Sequence, residues 1–408
     1  MFVDLILCII GLAALVYAAD KLVEAASNLA LNFGVSKMVI GLTIVAAGTS
    51  LPEFVVSLNS SIKGNPALSL GNVVGSNIMN IALILGITAL ILPINSTKAM
   101  VKREIPIMIG VTALAWIFAK TDAVISPNEG LVLILIFLAY NIMSYAIGKK
   151  EARIAEEFEE EAERVVTVVP PAKDSKDNSE EKAKEKEVQE EKTNESQSQN
   201  QENKEDKEDK EEEKMPGVGT NILFIIIGLI GMVVGSELLV KGAISIAKAI
   251  GVSNELIGLT LVAIGTSLPE LATSIVAARK GQSDLSVGNV LGSNIFNITA
   301  IVGTAALVPY FTSDAASRIC LNVSPEMLSL HIPIMMVVAV VLLPIMITDM
   351  KISRKEGAFF LGIYLCYTIM LFQTAMPKKA DEITKDSVAV EQTTPMPASS
   401  TVKIEIRE

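Results

Sequence analysis

GLTIVAAGTSLPEFVVSLNSSIKGNPALSLGNVVGSNIMNIALILG, residues 41–86, returns at residues 258–303 as GLTLVAIGTSLPELATSIVAARKGQSDLSVGNVLGSNIFNITAIVG. About 27 of the 46 positions are identical without a gap, far more than two unrelated apolar stretches share, so the chain carries an internal duplication. The match runs outward at the same offset, pairing Gly11-Leu12 with Gly228-Leu229 and Gly34-Val35-Ser36 with Gly251-Val252-Ser253. Past the block the second half gains about ten residues, around Pro309 to Leu330. Register then returns, with Ile105-Pro106 matching Ile332-Pro333 and Glu129-Gly130 matching Glu356-Gly357.

Half of the 408 residues are apolar and mean hydropathy is +0.48. Apolar runs near twenty residues recur, Leu131 to Ile147 and Asn221 to Val234 among them, and each can cross a hydrocarbon core of roughly 30 Å. About ten such runs are expected, five on each side of a polar centre. A soluble protein would need a core of helices apolar all round, which excludes that class. The first run begins directly after Met1 and carries Asp4, without the basic leader or small-residue cleavage site of a signal peptide, so it reads as a retained helix. An odd number of spans per half turns the second half over in the membrane. The expected fold is all-α and polytopic, about ten transmembrane helices in two inverted five-helix repeats with broken helices at the midplane. The expected divisions are a first membrane repeat over 1–148, an acidic disordered loop over 149–217, a second repeat over 218–376 and a polar tail over 377–408.

Net charge is −11, and residues 151–214 alone carry about −12, so the acidity belongs to one segment. That segment contains KEDKEDKEEEK, buries too little apolar surface to order itself, and holds no EF-hand loop. Basic residues concentrate in the short loops of one face, including Lys37, Lys98, Lys102, Arg103, Lys149, Lys150, Arg279, Lys280, Lys351 and Arg354. The positive-inside rule then places the N-terminus outside and the acidic loop in the cytoplasm. Cys8, Cys320 and Cys366 are scattered and suggest neither a disulfide framework nor a thiolate metal site.

GTSLPE occurs twice, at Gly48 to Glu53 and Gly265 to Glu270, each within an apolar helix candidate. Pro52 and Pro269 lack a backbone N–H, which frees the carbonyl of Gly48 or Gly265. A bare carbonyl in hydrocarbon is costly, so it must face protein or an ion. Glu53 and Glu270 are carboxylates at bilayer depth, where charge normally marks function, and no basic residue lies deep in any expected span to pair with them. Thr49 and Ser50 precede Glu53 by four and three residues, and Thr266 and Ser267 do the same for Glu270, an expected shared helical face. Downstream, Asn72, Ser76 and Asn80 recur at intervals of four, as do Asn289, Ser293 and Asn297. Their alternative role is hydrogen bonding between helices. Gly71 with Gly75 and Gly288 with Gly292 permit close helix packing. The combined donors are all oxygen, which suits hard cations, calcium better than magnesium. His331, the only histidine, lies outside the motifs.

GTSLPE followed by GNVVGSN, duplicated in inverted halves, resembles the two alpha-repeats of the cation/calcium exchanger superfamily, and within it the prokaryotic sodium/calcium exchangers. The resemblance covers both membrane halves and neither the acidic loop nor the tail. It implies calcium between Glu53 and Glu270 with backbone oxygens of Thr49 and Thr266. It implies sodium at Ala46, Ser50, Ser76, Ala263, Ser267 and Ser293 with the same glutamates, and Asn80 and Asn297 beside the central subsite. Potassium-dependent members carry Asp where this chain has Asn297, so the resemblance implies potassium independence. It further implies a secondary antiporter, working by alternating access on calcium and sodium without a cofactor or an enzymatic reaction; the cell membrane is the default location. Membrane lipid is its surroundings, and nucleic acid is not a partner.

Two other readings predict different behaviour. A calcium/proton antiporter would run on a pH gradient without sodium. A calcium-responsive scaffold would depend on residues 151–214 and tolerate Glu53→Gln. No nucleophile–base pair or catalytic-metal ligand set supports an enzyme.

Overall fold

A computed structural model describes residues 2–168, 216–250, 263–311 and 321–375. Eight of its helices are long and apolar enough to span a membrane, and a ninth span, α2 (Lys37–Thr49) plus α3 (Leu51–Ile62), is bent by 48° at Ser50. The others in the first half are α1 (Phe2–Phe33), α4 (Pro66–Ile91), α5 (Met100–Asp122) and α6 (Pro127–Val168). In the second half α7 (Val218–Ala249) precedes the short α8 (Ala263–Thr266) and α9 (Leu268–Arg279), the counterparts of α2 and α3. Then follow α10 (Ser283–Phe311), α11 (Met327–Asp349) and α12 (Arg354–Ala375). Residues 251–262, which would complete the tenth expected span, lie outside the described residues, as does the polar tail from 377. The acidic segment begins as helix, because α6 continues to Val168; 169–215 is outside the described residues.

Strand pairing shows the inversion. β1 (Ile94–Asn95) pairs with β4 (Lys351–Ile352), and β2 (Val124–Ile125) with β3 (Leu321–Asn322). At the downstream offset β1 corresponds to β3 and β2 to β4, so each pair joins one repeat's first strand to the other's second. Such strands meet on one membrane face only if the second repeat is turned over. Paired details follow the same relation. Ala123 and Met350 both have positive φ, as do Gly64 and Gly281. Ser126 with Glu129, and Ser353 with Glu356, close matching capping boxes, the carboxylates accepting the serine N–H at 2.7 and 2.6 Å. This accounts for the Glu-Gly match seen in the sequence: the glutamate caps α6 or α12, and the next glycine lets the helix touch its neighbour. A Cβ on Gly130 would sit 2.7 Å from the Gly303 carbonyl, and one on Gly357 would sit 2.8 Å from that of Gly86.

The central helices are α4 and α10, with 72% and 89% of their apolar windows buried against at most 39% for the other long helices. In contrast α1 and α7 pack along each other and expose Ile9, Leu12, Ile226 and Ile230 on their outer faces, the pattern of helices facing lipid.

The two repeats are not in equivalent positions. In α1, Leu22, Ala26, Leu29 and Ala30 are buried, and α1 packs on α9. Their counterparts in α7, Leu239, Ala243, Ile246 and Ala247, are partly exposed, and α7 has no comparable packing on α3. Asp20 meets Lys280 at 2.7 Å, and Ser27 donates to Gln282 at 2.6 Å. The counterparts of the ion pair are separate: Glu237 lies 3.7 Å from Lys241 on its own helix, and Lys63 has no ion pair among the described residues.

Candidate cation site between the broken helices

The helix break sits one residue before the leucine of each GTSLPE motif. Ser50 (φ −85°, ψ 10°) and Ser267 (φ −94°, ψ 7°) leave helical geometry, and new helices start at Leu51 and Leu268. Pro52 and Pro269 fall in the first turns of α3 and α9, where an N–H is not needed. Glu53 and Glu270 lie in the same first turns, at the positive ends of two helix dipoles. Among the described residues neither has an ion-pair partner.

The serine and the carboxylate of one motif do not bond to each other, and the helix bends between them. Ser50 Oγ instead donates to Glu270 Oε1 at 2.9 Å, and Ser267 Oγ donates to Glu53 Oε1 at 3.0 Å. Each repeat's serine serves the other repeat's carboxylate. Both glutamates are 1% exposed, and Glu53 Oε2 and Glu270 Oε2 have no hydrogen-bond partner. Thr49 Oγ1 donates to Asn289 Oδ1 at 3.1 Å, again across the repeats. Asn72 Nδ2 donates to the Glu53 carbonyl at 3.2 Å and to Ser57 Oγ at 2.9 Å, so it braces the turn of α3 that carries the carboxylate.

Of the other residues singled out in the sequence, Asn80 and Asn297 are fully buried and open π-helical turns, Asn80–Leu85 and Asn297–Ile301. Such widened turns recur at functional sites. Their Oδ1 atoms, and Ser293 Oγ, are buried without partners. Ser76 is buried on the same helix as Asn80. Ala46 is buried against Gly292, where an added Cβ would come within 2.7 Å of its own. Gly288 is equally tight against the Met38 carbonyl, so the second glycine pair lets α2 cross α10 closely. The counterpart of that crossing falls in residues outside the described set. Ala263 and Thr266 bound the short helix α8.

The freed carbonyl of Gly265 meets protein: Ser236 Oγ on α7 donates to it at 2.6 Å. Sequence reasoning missed Ser236, whose counterpart is Ala19, and missed Asn77 and Asn294. Asn80 Nδ2 donates to Asn294 Oδ1 and Asn297 Nδ2 to Asn77 Oδ1, both at 3.0 Å. The available signal was the Asn that ends each GSN. A third buried acid also escaped notice. Glu104 accepts from Arg103 Nε at 2.6 Å and from Tyr140 Oη at 2.8 Å, so its charge is compensated. Its counterpart His331 faces Tyr367 at 3.3 Å.

Among the described residues no group of three His, Cys, Asp or Glu side chains is placed to hold a metal ion. The site therefore offers two carboxylates and neutral oxygens, a donor set for a hard cation. The sequence profile described as sodium/calcium exchanger protein matches residues 3–146 and 220–373, both membrane halves and not the acidic segment between them. The chain belongs to the sodium/calcium exchanger protein family. It is thus an integral membrane protein of a transporter family, a cation/calcium exchanger.

Similar proteins extend over nearly all of the chain. Sodium/calcium exchanger MaX1 of Methanosarcina acetivorans is 33% identical over 370 residues, 91% of this chain and 99% of that protein. Putative antiporter CaxA of Alkalimonas amylolytica is 32% identical over 92% of this chain and 100% of its own length. Among solved structures, the sodium-calcium exchanger NCX_Mj soaked with 2.5 mM Na+ and 0.1 mM Ca2+ superposes with a TM-score of 0.65 at 29% identity. That match covers 90% of this exchanger and 97% of the other chain.

Proposed function

We propose that the protein exchanges calcium for sodium across the cell membrane by alternating access, without potassium. Glu53 and Glu270 are the ligands that both ions share. Thr49, Thr266, Ser50, Ser267, Ala46, Ala263, Ser76, Ser293, Asn80 and Asn297 supply further oxygens from side chain or backbone. The observation that carries this reading is the pair of buried glutamates, each held through one oxygen by the opposite repeat's serine while the other oxygen is unpartnered.

Two ionised carboxylates buried together without a cation are strongly disfavoured. One calcium or several sodium ions neutralise them, so only loaded forms close and change sides. That coupling makes exchange obligatory. About three sodium ions per calcium would move one net charge, and voltage would then contribute about 2.3 kcal/mol per 100 mV. The unequal burial of α1 and α7 supports alternating access, since α1 packs on α9 while α7 has no comparable packing on α3. The N-terminus lies outside and the acidic segment in the cytoplasm, as the basic loops indicate.

The test is calcium uptake into sodium-loaded vesicles diluted into sodium-free medium, with a pH-gradient control. Sodium-dependent uptake is expected. Uptake driven by the pH gradient alone would replace sodium by protons as the counter-ion.

A further inference from the structure

Asn80 and Asn297 offer oxygens to the site only if their amides are turned one way. The two ends of an amide have nearly the same shape, so its direction must be imposed by hydrogen-bonding neighbours. Here both neighbours are themselves fixed by groups that can only accept. Asn77 Nδ2 donates to the backbone carbonyl of Asn294 at 3.2 Å, which leaves Asn77 Oδ1 facing Asn297. Asn297 must therefore present Nδ2 to it, and its Oδ1 is the end without a partner. On the other side, Asn294 Nδ2 lies 3.5 Å from Met108 Sδ, which has no proton to give. Asn294 Oδ1 then faces Asn80, which answers with Nδ2 and leaves its Oδ1 unpartnered. All four asparagines and Met108 are buried, so bulk water does not compete for these bonds.

We infer that Asn77 and Asn294 are positioning residues of the cation site. They lock Asn297 and Asn80 with oxygen, rather than the NH2 group, offered to the ion. Each acts across the repeats, like the serine–glutamate bonds. A flipped amide would turn the positive end of its dipole toward a cation. The inference rests on the reading of Asn80 and Asn297 as ion ligands.

A double-mutant cycle tests it, with calcium alone titrated calorimetrically into the purified full-length protein and exchange measured in vesicles beside it. Asn77→Leu is expected to weaken calcium binding by about tenfold, the scale of one lost polar interaction. In an Asn297→Asp background the same substitution should cost under about threefold, because a carboxylate has two equivalent oxygens and needs no turning. Equal losses in both backgrounds would show a merely structural Asn77 and overturn the inference. Unchanged calcium binding in Asn297→Leu would overturn the ligand reading beneath it instead. Asn294→Leu in wild-type and Asn80→Asp backgrounds gives the same reading from the other repeat if Asn77→Leu does not fold.

Discussion

Ser50 Oγ on the first repeat donates to Glu270 Oε1 on the second at 2.9 Å. With its mirror bond from Ser267 to Glu53, this makes the two carboxylates interdependent. Neither repeat alone contains a carboxylate together with the hydroxyl that holds it. Ser50→Ala should therefore weaken calcium binding through Glu270, by about ten- to a hundredfold, since hydrogen bonds to charged groups contribute about 1.5–3 kcal/mol. Ser267→Ala should match it through Glu53. Calcium titration of both variants checks this; an unchanged Ser50→Ala would separate the bond from ion binding.

Among the described residues three acids are buried in the helices, and their environments assign them different parts. Glu53→Gln and Glu270→Gln should each reduce exchange by at least about 100-fold in folded protein, because a ligand charge is lost. Glu104→Gln should instead lower the melting temperature in detergent. Breaking a buried charge pair costs up to about 3–5 kcal/mol, and the loss here should fall below that, because Arg103 keeps its pair with the exposed Glu151 at 2.8 Å. Exchange per folded molecule should be retained. Uptake normalised to folded protein distinguishes the two classes.

Ser236 caps a carbonyl that the broken helix leaves open. Ser236→Ala should destabilise the protein by about 1 kcal/mol, near the upper end of such bonds within membranes. The fall in melting temperature would be about 2–4 °C. No change would mean that the Gly265 carbonyl finds another donor.

Asp20–Lys280 ties α1 to the end of α9, and the repeat relation maps it onto Glu237 and Lys63. If exchange requires α1 and α7 to slide against the core, cross-linking either helix should stop it. Cysteines at 20 and 280, or at 63 and 237, in a background without the native cysteines, should each abolish at least about 90% of uptake on oxidation and recover on reduction. Undiminished exchange in a fully cross-linked sample would exclude sliding.

Much of this was legible from GTSLPE and GNVVGSN. Their duplication gave the repeats, and the number of apolar runs gave the inversion, because span parity alone sets direction. Glu53 and Glu270 stood out because a carboxylate in an apolar run is costly whatever surrounds it. The partner of Ser50 was not legible. Helical spacing placed it on one face with Glu53, three residues on, and carried no information about a bond to the other repeat. Asn77 and Asn294 likewise looked like ordinary polar positions, since what matters is which atom of each amide faces the other repeat.

The sequence by itself determined the helices, their inverted pairing and the two carboxylates, since hydrophobic length and the cost of buried charge act locally. Only the tertiary structure decided which serine holds which glutamate, which carbonyl Ser236 covers and which helices Asp20 and Lys280 tie together. Those bonds join residues more than two hundred positions apart, or helices whose relative placement depends on packing, and no local pattern encodes such pairings.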